Sequence, residues 1–215
     1  MYTENINFNG KNISLIGEDK INTIISAADP SNPIVTLNLN EDSFLSTFTL
    51  NGGENSAINI QNASPHITNL LVSGNSSFDG GAFYISSSSV NISNCIIEDN
   101  YANDQGGGIY IRSFSNVYMS NILMQNNQAN RGGAINLSEG SELIIDGSEF
   151  LNNQIHDEYN EGWYPNSGGA IFSFESQLVI SNSVVIGNSA LIDGGGIYIN
   201  PVSYTHLTLP TILLV

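Results

Sequence analysis

The sequence is short of several residue types, and each shortage excludes or disfavours a class of protein. Lys and Arg number only four against 20 Asp and Glu, which gives a net charge of −16. This balance excludes nucleic acid and disfavours anionic membrane surfaces as partners, because both are bound through concentrations of basic side chains. The single cysteine excludes an intrachain disulfide framework. No window approaches the roughly 20 apolar residues of a membrane-spanning segment, and the first residues do not form a signal peptide.

Asn, Ser, Gly and Ile are abundant instead, and this composition favours turns and strands over helices. A search for internal similarity finds a repeated Gly-Gly-(Ala/Gly)-(Ile/Phe) element. It starts at Gly80, Gly106, Gly132, Gly168 and Gly194, at intervals of 26, 26, 36 and 26 residues. One repeat therefore carries a ten-residue insertion.

Two further elements recur in phase with the glycine pairs. An apolar-x-x-Asn element ends at Asn75, Asn100, Asn127, Asn153 and Asn188. Between the two lies a short segment with apolar residues two apart, such as Val90 and Ile92, and this spacing is typical of a strand with one buried face. A residue that tolerates left-handed backbone follows it: Asn94, Asn121, Gly147 or Asn182.

Each unit is thus predicted to contain strand, turn, strand, turn, strand and a loop that ends in the glycine pair. A unit of 26 residues cannot bury its apolar face alone, so the units must stack as a coil. The prediction is an all-β, right-handed parallel β-helix of about seven to eight coils. Residues 1–200 form one domain, with entry coils over 1–54 and phased repeats over 55–200. Its internal ladders contain stacked Phe83, Ile109, Ile135, Ile171 and Ile197, and stacked Asn side chains that share hydrogen bonds.

The last residues differ in composition from the rest of the chain. Residues 202–211, Val-Ser-Tyr-Thr-His-Leu-Thr-Leu-Pro-Thr, resemble the translation of a transposase-type sequencing adapter. This resemblance implies that residues 201–215 are a non-native tail and that the natural chain is read only as far as Asn200, as in a metagenomic fragment.

The repeats resemble those of a known family. Gly-Gly-Ala-Ile together with apolar-x-x-Asn, as in Phe150-Leu-Asn-Asn153, is similar to the repeats of chlamydial-type polymorphic outer-membrane proteins. Residues 4–17 and 22–25 resemble the entry coils of bacterial secreted β-helix proteins. The resemblance implies a pectin-lyase-like fold, an extracellular or outer-membrane-associated location and an adhesin-like role, although only Phe150 keeps the aromatic residue of the second element.

Catalytic chemistry has little support in the sequence. β-Helix lyases and hydrolases need converging carboxylates and, in lyases, a basic residue. Arg131 lies in the column before the glycine pairs with Asp79, Gln105, Ser167 and Asp193, so it is interpreted as a solvated loop residue. No catalytic, cofactor-binding or metal-binding residue is predicted. Convergence of Asp, Glu and Arg from three consecutive rungs in a groove would instead indicate an enzyme.

The insertion is the one candidate ligand site. It contains the only Trp of the chain together with tyrosines and carboxylates, and insertions in solenoids form loops on one face. The candidate residues are Asp157, Glu158, Tyr159, Glu161, Trp163 and Tyr164, a set suited to sugars or a cation. The predicted function is non-catalytic adhesion or binding of glycans or host or neighbouring-cell surface molecules. The alternative is a pectin-lyase-like carbohydrate-active enzyme, either a polysaccharide lyase or a glycoside hydrolase.

Overall fold

The computed structural model describes residues 1–156 and 166–200, together with the backbone of 204–208 and 212–214. Over these residues the regular structure is parallel β-sheet. The first three turns contain β1 (Tyr2–Thr3), β2 (Ile6–Asn7), β3 (Ser14–Ile16), β4 (Ile24–Ser26), β5 (Val35–Leu37), β6 (Phe44–Ser46), β7 (Thr49–Asn51), β8 (Ile58–Gln61) and β9 (His66–Thr68). The next two contain β10 (Leu71–Ser73), β11 (Ser76–Asp79), β12 (Phe83–Ser86), β13 (Ser89–Ser93), β14 (Ile96–Glu98), β15 (Tyr101–Gln105), β16 (Ile109–Arg112) and β17 (Asn116–Ser120). The last contain β18 (Leu123–Gln125), β19 (Gln128–Ala129), β20 (Ile135–Leu137), β21 (Glu142–Asp146), β22 (Glu149–Leu151), β23 (Gln154–Ile155), β24 (Ile171–Ser173), β25 (Gln177–Ser181), β26 (Val184–Ile186), β27 (Ile197–Ile199), β28 (Tyr204–Thr208) and β29 (Ile212–Leu214).

The strands form three long sheets that run the length of a solenoid of about seven turns, which confirms the predicted fold class. Sheet 1 has the order β1-β4-β7-β10-β14-β18-β22-β26-β29, sheet 2 the order β2-β5-β8-β12-β16-β20-β24-β27, and sheet 3 the order β3-β6-β9-β13-β17-β21-β25-β28. A short sheet, β11-β15-β19-β23, lies between sheets 1 and 2 in the middle turns.

The apolar ladders are in the predicted register. In sheet 2, Phe83 pairs with Ile109, Ile109 with Ile135, Ile135 with Ile171 and Ile171 with Ile197. The first four of these side chains are fully buried in one continuous core. The pairs spaced two apart in sheet 3 are buried as well, as Val90 and Ile92 illustrate. Because each rung covers the apolar edge of the one below, stacking buries a core that a single turn cannot enclose.

A ladder of buried asparagines follows sheet 1, at the end of the apolar-x-x-Asn element. The side-chain amide nitrogen of each asparagine donates to the side-chain oxygen of the next, over 2.9–3.1 Å, along Asn75, Asn100, Asn127, Asn153 and Asn188. The same oxygens also accept the backbone N–H one rung before. This confirms the predicted hydrogen bonding between rungs and satisfies polar groups that are buried from water.

The turns use left-handed backbone where the sequence indicates it. Asn94, Asn121 and Asn182 have φ of 50–54°, and Gly147 has φ of 58°. The first glycine of each pair is also left-handed, as at Gly106 with φ of 62°. The second glycine of a pair has a different reason for lacking a side chain: a Cβ on Gly107 would lie 2.3 Å from the carbonyl oxygen of Gly133 on the next rung.

The structure contradicts the prediction for the connection before the glycine pairs. The sequence predicts a loop there, and this is wrong for the middle turns, where β11, β15, β19 and β23 pair as the short sheet. Cys95 is buried as predicted, and burial raises the pKa of its thiol to about 11, so the thiol stays protonated at neutral pH.

The end of the chain continues the same stacking. The backbone of β28 pairs in parallel with β25, and that of β29 with β26. The non-native origin of residues 201–215 stays a prediction. In the described part of the chain, no helix has the length and apolarity needed to cross a bilayer.

Candidate functional site

The outer face of sheet 2 is the most unusual surface of the solenoid. Side chains alternate between the two faces of a strand, so the residue between two core residues points outward. In sheet 2 this outward column contains Asn59, Tyr84, Tyr110, Asn136, Phe172 and Tyr198, which are paired in register. Tyr110 and Phe172 are only 3% and 2% exposed although they point away from the core. The middle of the column, from Tyr110 to Phe172, is therefore a second buried layer outside the coil.

The aromatic rings of this column form two pairs. Tyr84 and Tyr110 meet edge to face, with ring centroids 5.7 Å apart. Phe172 and Tyr198 are stacked, with centroids 5.1 Å apart and ring planes at 11°. Both arrangements are favoured by the quadrupole of the rings, and they hold flat apolar surfaces in fixed positions on consecutive rungs.

Asn136 lies between the two aromatic pairs, and its amide is unsatisfied. The residue is fully buried, and neither its Oδ1 nor its Nδ2 has a hydrogen-bond partner. A buried amide without partners costs about 1–3 kcal/mol, so such a group needs a reason to be there. In the asparagine ladder of sheet 1, by contrast, both the oxygen and the nitrogen of each side-chain amide form hydrogen bonds.

A groove of about 350 Å³ runs over this column and has an ion pair at one side. Its surface includes Tyr110, Asn136, Phe172 and Phe174. Arg112, whose guanidinium lies 5.7 Å from the ring centroid of Tyr110, forms a two-pronged contact with Glu139. Arg112 Nη2 donates to Oε1 over 2.6 Å and Nε donates to Oε2 over 3.1 Å.

A second charged cluster lies at the end of the short sheet, where it comes from three consecutive rungs. Arg131 donates to Asp104 from both Nε and Nη2, over 3.2 and 2.6 Å to Oδ1. Gln105 Nε2 lies 3.4 Å from Asp79 Oδ1. Gln105 and Arg131 line the groove, whereas Asp79 and Asp104 are not among its lining residues.

The negative charge of Asp104 affects the protonation of Asp79. Burial, and then the negative charge of Asp104, raise the pKa of Asp79 to about 6, against lowering contributions from Gln105 and Arg131. A carboxyl group of this kind exchanges its proton just below neutral pH. Among residues 1–156 and 166–200, no three His, Cys, Asp or Glu side chains come together in a way that would hold a metal ion.

The raised pKa of Asp79 makes a prediction about stability. The folded protein holds this proton more tightly than the unfolded chain, where the pKa is near 3.8. The resulting stability is fully present below about pH 4 and is lost as the pH rises through 6. We expect Asp79→Asn to raise the free energy of unfolding at pH 7.5 by on the order of 1 kcal/mol, after allowance for solvent screening, and to change it little at pH 3.5.

Urea unfolding at the two pH values measures this difference. Glu149→Gln removes the same charge from an exposed position on sheet 1 and serves as the control for net charge. An equal gain from both variants at pH 7.5 would show that the effect comes from net charge and not from the buried carboxyl of Asp79.

The predicted ligand loop lies outside the described residues. Asp157, Glu158, Tyr159, Glu161, Trp163 and Tyr164 all fall in 157–165, so their role stays a prediction. The described chain flanks the loop at His156, whose ring stacks on Tyr101 with centroids 4.9 Å apart. The backbone N–H of Gly132, next to Arg131, donates to the carbonyl oxygen of Ser167. The described residues on either side of 157–165 therefore lie at the corner that carries the second charged cluster.

The sequence did not predict the groove, and it led to a wrong prediction for the environment of Arg131. The prediction of a solvated loop residue is wrong, because the Arg131 side chain is only 14% exposed and is paired with Asp104. A signal was present, since Asp79, Gln105 and Arg131 share one column of the repeat on successive rungs. The repeat pattern predicts a loop at this column, whereas pairing of Asp79 with Gln105 and of Gln105 with Arg131 holds it in register.

The fold and this groove define a class of protein, a parallel β-solenoid with a groove on one sheet. The chain belongs to the family described as the right-handed β-helix region, whose model matches residues 56–209, and this family occurs in pectin-lyase-like proteins. The match confirms the predicted β-helix. No curated protein and no solved structure gives a significant match to the chain. The resemblance to polymorphic outer-membrane protein repeats stays a prediction.

Proposed function

We propose that this protein is a non-catalytic, secreted or surface-exposed β-helix protein that binds glycans in the groove over sheet 2, with adhesion as its role. The observation that carries the proposal is the unsatisfied amide of Asn136 between two pairs of aromatic rings. An amide in this setting has one donor group and one acceptor with no protein partner. Sugar hydroxyls, which both donate and accept, are the complementary ligand groups, and they reach this buried amide when the side chains above it move aside.

The remaining chemistry of the groove supports a sugar ligand. The half-buried ring of Phe174 provides apolar surface in the groove for the C–H face of a sugar ring, above the buried rings of Tyr110 and Phe172. The groove volume of about 350 Å³ lies at the lower end of the range of small-ligand sites, which suits one or two sugar rings. The extracellular location rests on the resemblance of the repeats to those of surface proteins.

A glycan array with purified protein tests the proposal. We expect binding by the unchanged chain and a loss of about ten-fold or more in affinity for Asn136→Leu, because the sugar then faces no amide. The same substitution is expected to raise the free energy of unfolding by about 1–2 kcal/mol, since an apolar side chain of similar volume replaces an unsatisfied one. Opposite effects on binding and stability separate a ligand-binding amide from a structural one.

Two further variants complete this experiment. Asn91→Ala changes an exposed asparagine on sheet 3 and is expected to bind as the unchanged chain does. Trp163→Ala tests the insertion, and unchanged binding would remove the loop from the site. Failure of the unchanged protein to bind any glycan would refute the proposal as a whole.

A carbohydrate-active enzyme is the second candidate, and one observation favours it. Asp79, Asp104 and Arg131 come together from three consecutive rungs, and burial together with the charge of Asp104 raises the pKa of Asp79 to about 6. We place this candidate second because the oxygens of Asp104 are engaged by Arg131 and neither carboxyl lines the groove. Release of reducing ends or of unsaturated sugars from a polysaccharide, abolished in Asp104→Asn, would replace the first proposal by this one.

A further inference from the structure

We propose that the groove over sheet 2 selects neutral glycans and rejects acidic ones such as polyuronates, because a carboxylate of the same chain already neutralises each arginine that lines it. This inference rests on the proposed function, since it specifies the class of glycan. It does not depend on which sugar is bound. Three features of the structure lead to it.

The first feature is the pair of Arg112 and Glu139. Both oxygens of Glu139 are used: Oε1 accepts from Arg112 Nη2, and Oε2 accepts from Arg112 Nε and from the Ser113 hydroxyl. Nε and Nη2 of Arg112, one of the two edges with which a guanidinium makes a two-pronged contact, are thus directed at Glu139. The carboxylate of Glu139 also cancels the charge that would attract an acidic ligand.

The second feature is the pair of Arg131 and Asp104, which is more shielded. The two side chains are 14% and 19% exposed, and Nη2 and Nε of Arg131 both donate to Asp104. Separating two partly buried charges leaves each without compensation. Arg131 therefore contributes to the groove as part of a neutral pair.

The third feature is the charge of the rest of the chain. The two lysines of the chain, Lys11 and Lys20, lie in the first turn, before β4, while the groove lies on the turns that contain β16, β20 and β24. The net charge of −16 opposes the approach of a polyanion over distances of about one Debye length, roughly 8 Å at physiological salt.

The groups of the groove that remain available to a ligand after this ion pairing are uncharged. The amide of Asn136 has no partner, Gln105 is uncharged, and the half-buried ring of Phe174 is an apolar surface. Hydroxyl groups and C–H faces match these groups, whereas a carboxylate or sulfate would be desolvated against them without an opposite charge.

Isothermal titration calorimetry with matched oligosaccharides tests the selection. The probes are hexasaccharides of neutral type (cellohexaose, xylohexaose and mannohexaose) and of acidic type (hexagalacturonate), each at low and at physiological salt. We expect at least one neutral probe to bind at least about ten-fold more tightly than hexagalacturonate. Glu139→Gln, which releases Arg112, is expected to raise the affinity for hexagalacturonate by about five-fold or more, most at low salt.

Glu149→Gln is the matched control, since it removes one negative charge from an exposed position on sheet 1, remote from the groove. Tighter binding of hexagalacturonate than of every neutral probe would overturn the inference while leaving glycan binding intact. An equal gain for Glu139→Gln and Glu149→Gln would also overturn it, because net charge would then explain the selection. If no probe binds and the glycan array is also empty, the proposed function fails together with the inference.

Discussion

Replacing Gly107 by alanine is expected to prevent the protein from folding, or to lower the free energy of unfolding by more than about 4 kcal/mol. A Cβ at this position would lie 2.3 Å from Gly133 O, 2.4 Å from Gln128 O and 2.5 Å from Gln128 N. All three are backbone atoms of the next rung, which are held in the ladder and cannot rotate away as a side chain would. The soluble yield and the urea midpoint of the purified variant measure the effect.

Gly147→Ala is the matched control for this prediction. Gly147 has a left-handed φ of 58°, but a Cβ built there meets nothing within 4 Å. Its cost is therefore only the backbone strain of an L-residue, about 1–2 kcal/mol. If the two variants unfold at the same urea concentration, close packing between rungs is not the reason for the second glycine of the pair.

The second large effect is expected at Asn127, in the middle of the buried asparagine ladder. Its Oδ1 accepts from the backbone and the side chain of Asn100, and its Nδ2 donates to Asn153 Oδ1 and to Ile97 O. Asn127→Ala leaves several of these groups buried without a partner, each at about 1–3 kcal/mol. We expect a total loss of about 3–5 kcal/mol in the free energy of unfolding, measured by urea titration.

Asn91→Ala provides the comparison, because Asn91 is exposed on sheet 3 at the centre of β13. A change within about 0.5 kcal/mol is expected there. Hydrogen exchange adds a local test: the backbone N–H of Asn100, which donates to Asn127, should lose protection in Asn127→Ala and keep it in Asn91→Ala. Equal midpoints for the two variants would show that the ladder contributes no more than a surface amide.

Most of the fold was predictable because a solenoid repeats the same arrangement of strands and turns in every coil. The phase of the glycine pairs, of the apolar-x-x-Asn element and of the paired apolar residues defined one turn, and stacking equivalent turns reproduces the register of Phe83 on Ile109. The short sheet was not predictable in the same way. Its strands, such as Ser76–Asp79, contain polar residues without alternation, so only their pairing with the next turn reveals them as strands.

The groove was harder to predict, because no local sequence pattern distinguishes its residues from other strand residues of the chain. Tyr110 and Phe172 sit between core positions and are typical of an outward, half-exposed place on a strand. Their burial arises from neighbours on other rungs, which the sequence separates by 26 residues or more. Asn136 resembles the many other asparagines of the chain, and nothing local distinguishes its unsatisfied amide from the bonded amides of the ladder.

The repeat period and the backbone preferences of Asn and Gly are enough to predict the parallel solenoid, the positions of its turns and the residues of its core, because all three are set within one turn. Tertiary structure alone decided the pairing of Arg112 with Glu139 and of Arg131 with Asp104, and the placing of Asn136 between aromatic rings. Each of these contacts joins residues on different turns. Such a contact depends on the directions of side chains across neighbouring strands, which a repeat pattern leaves open.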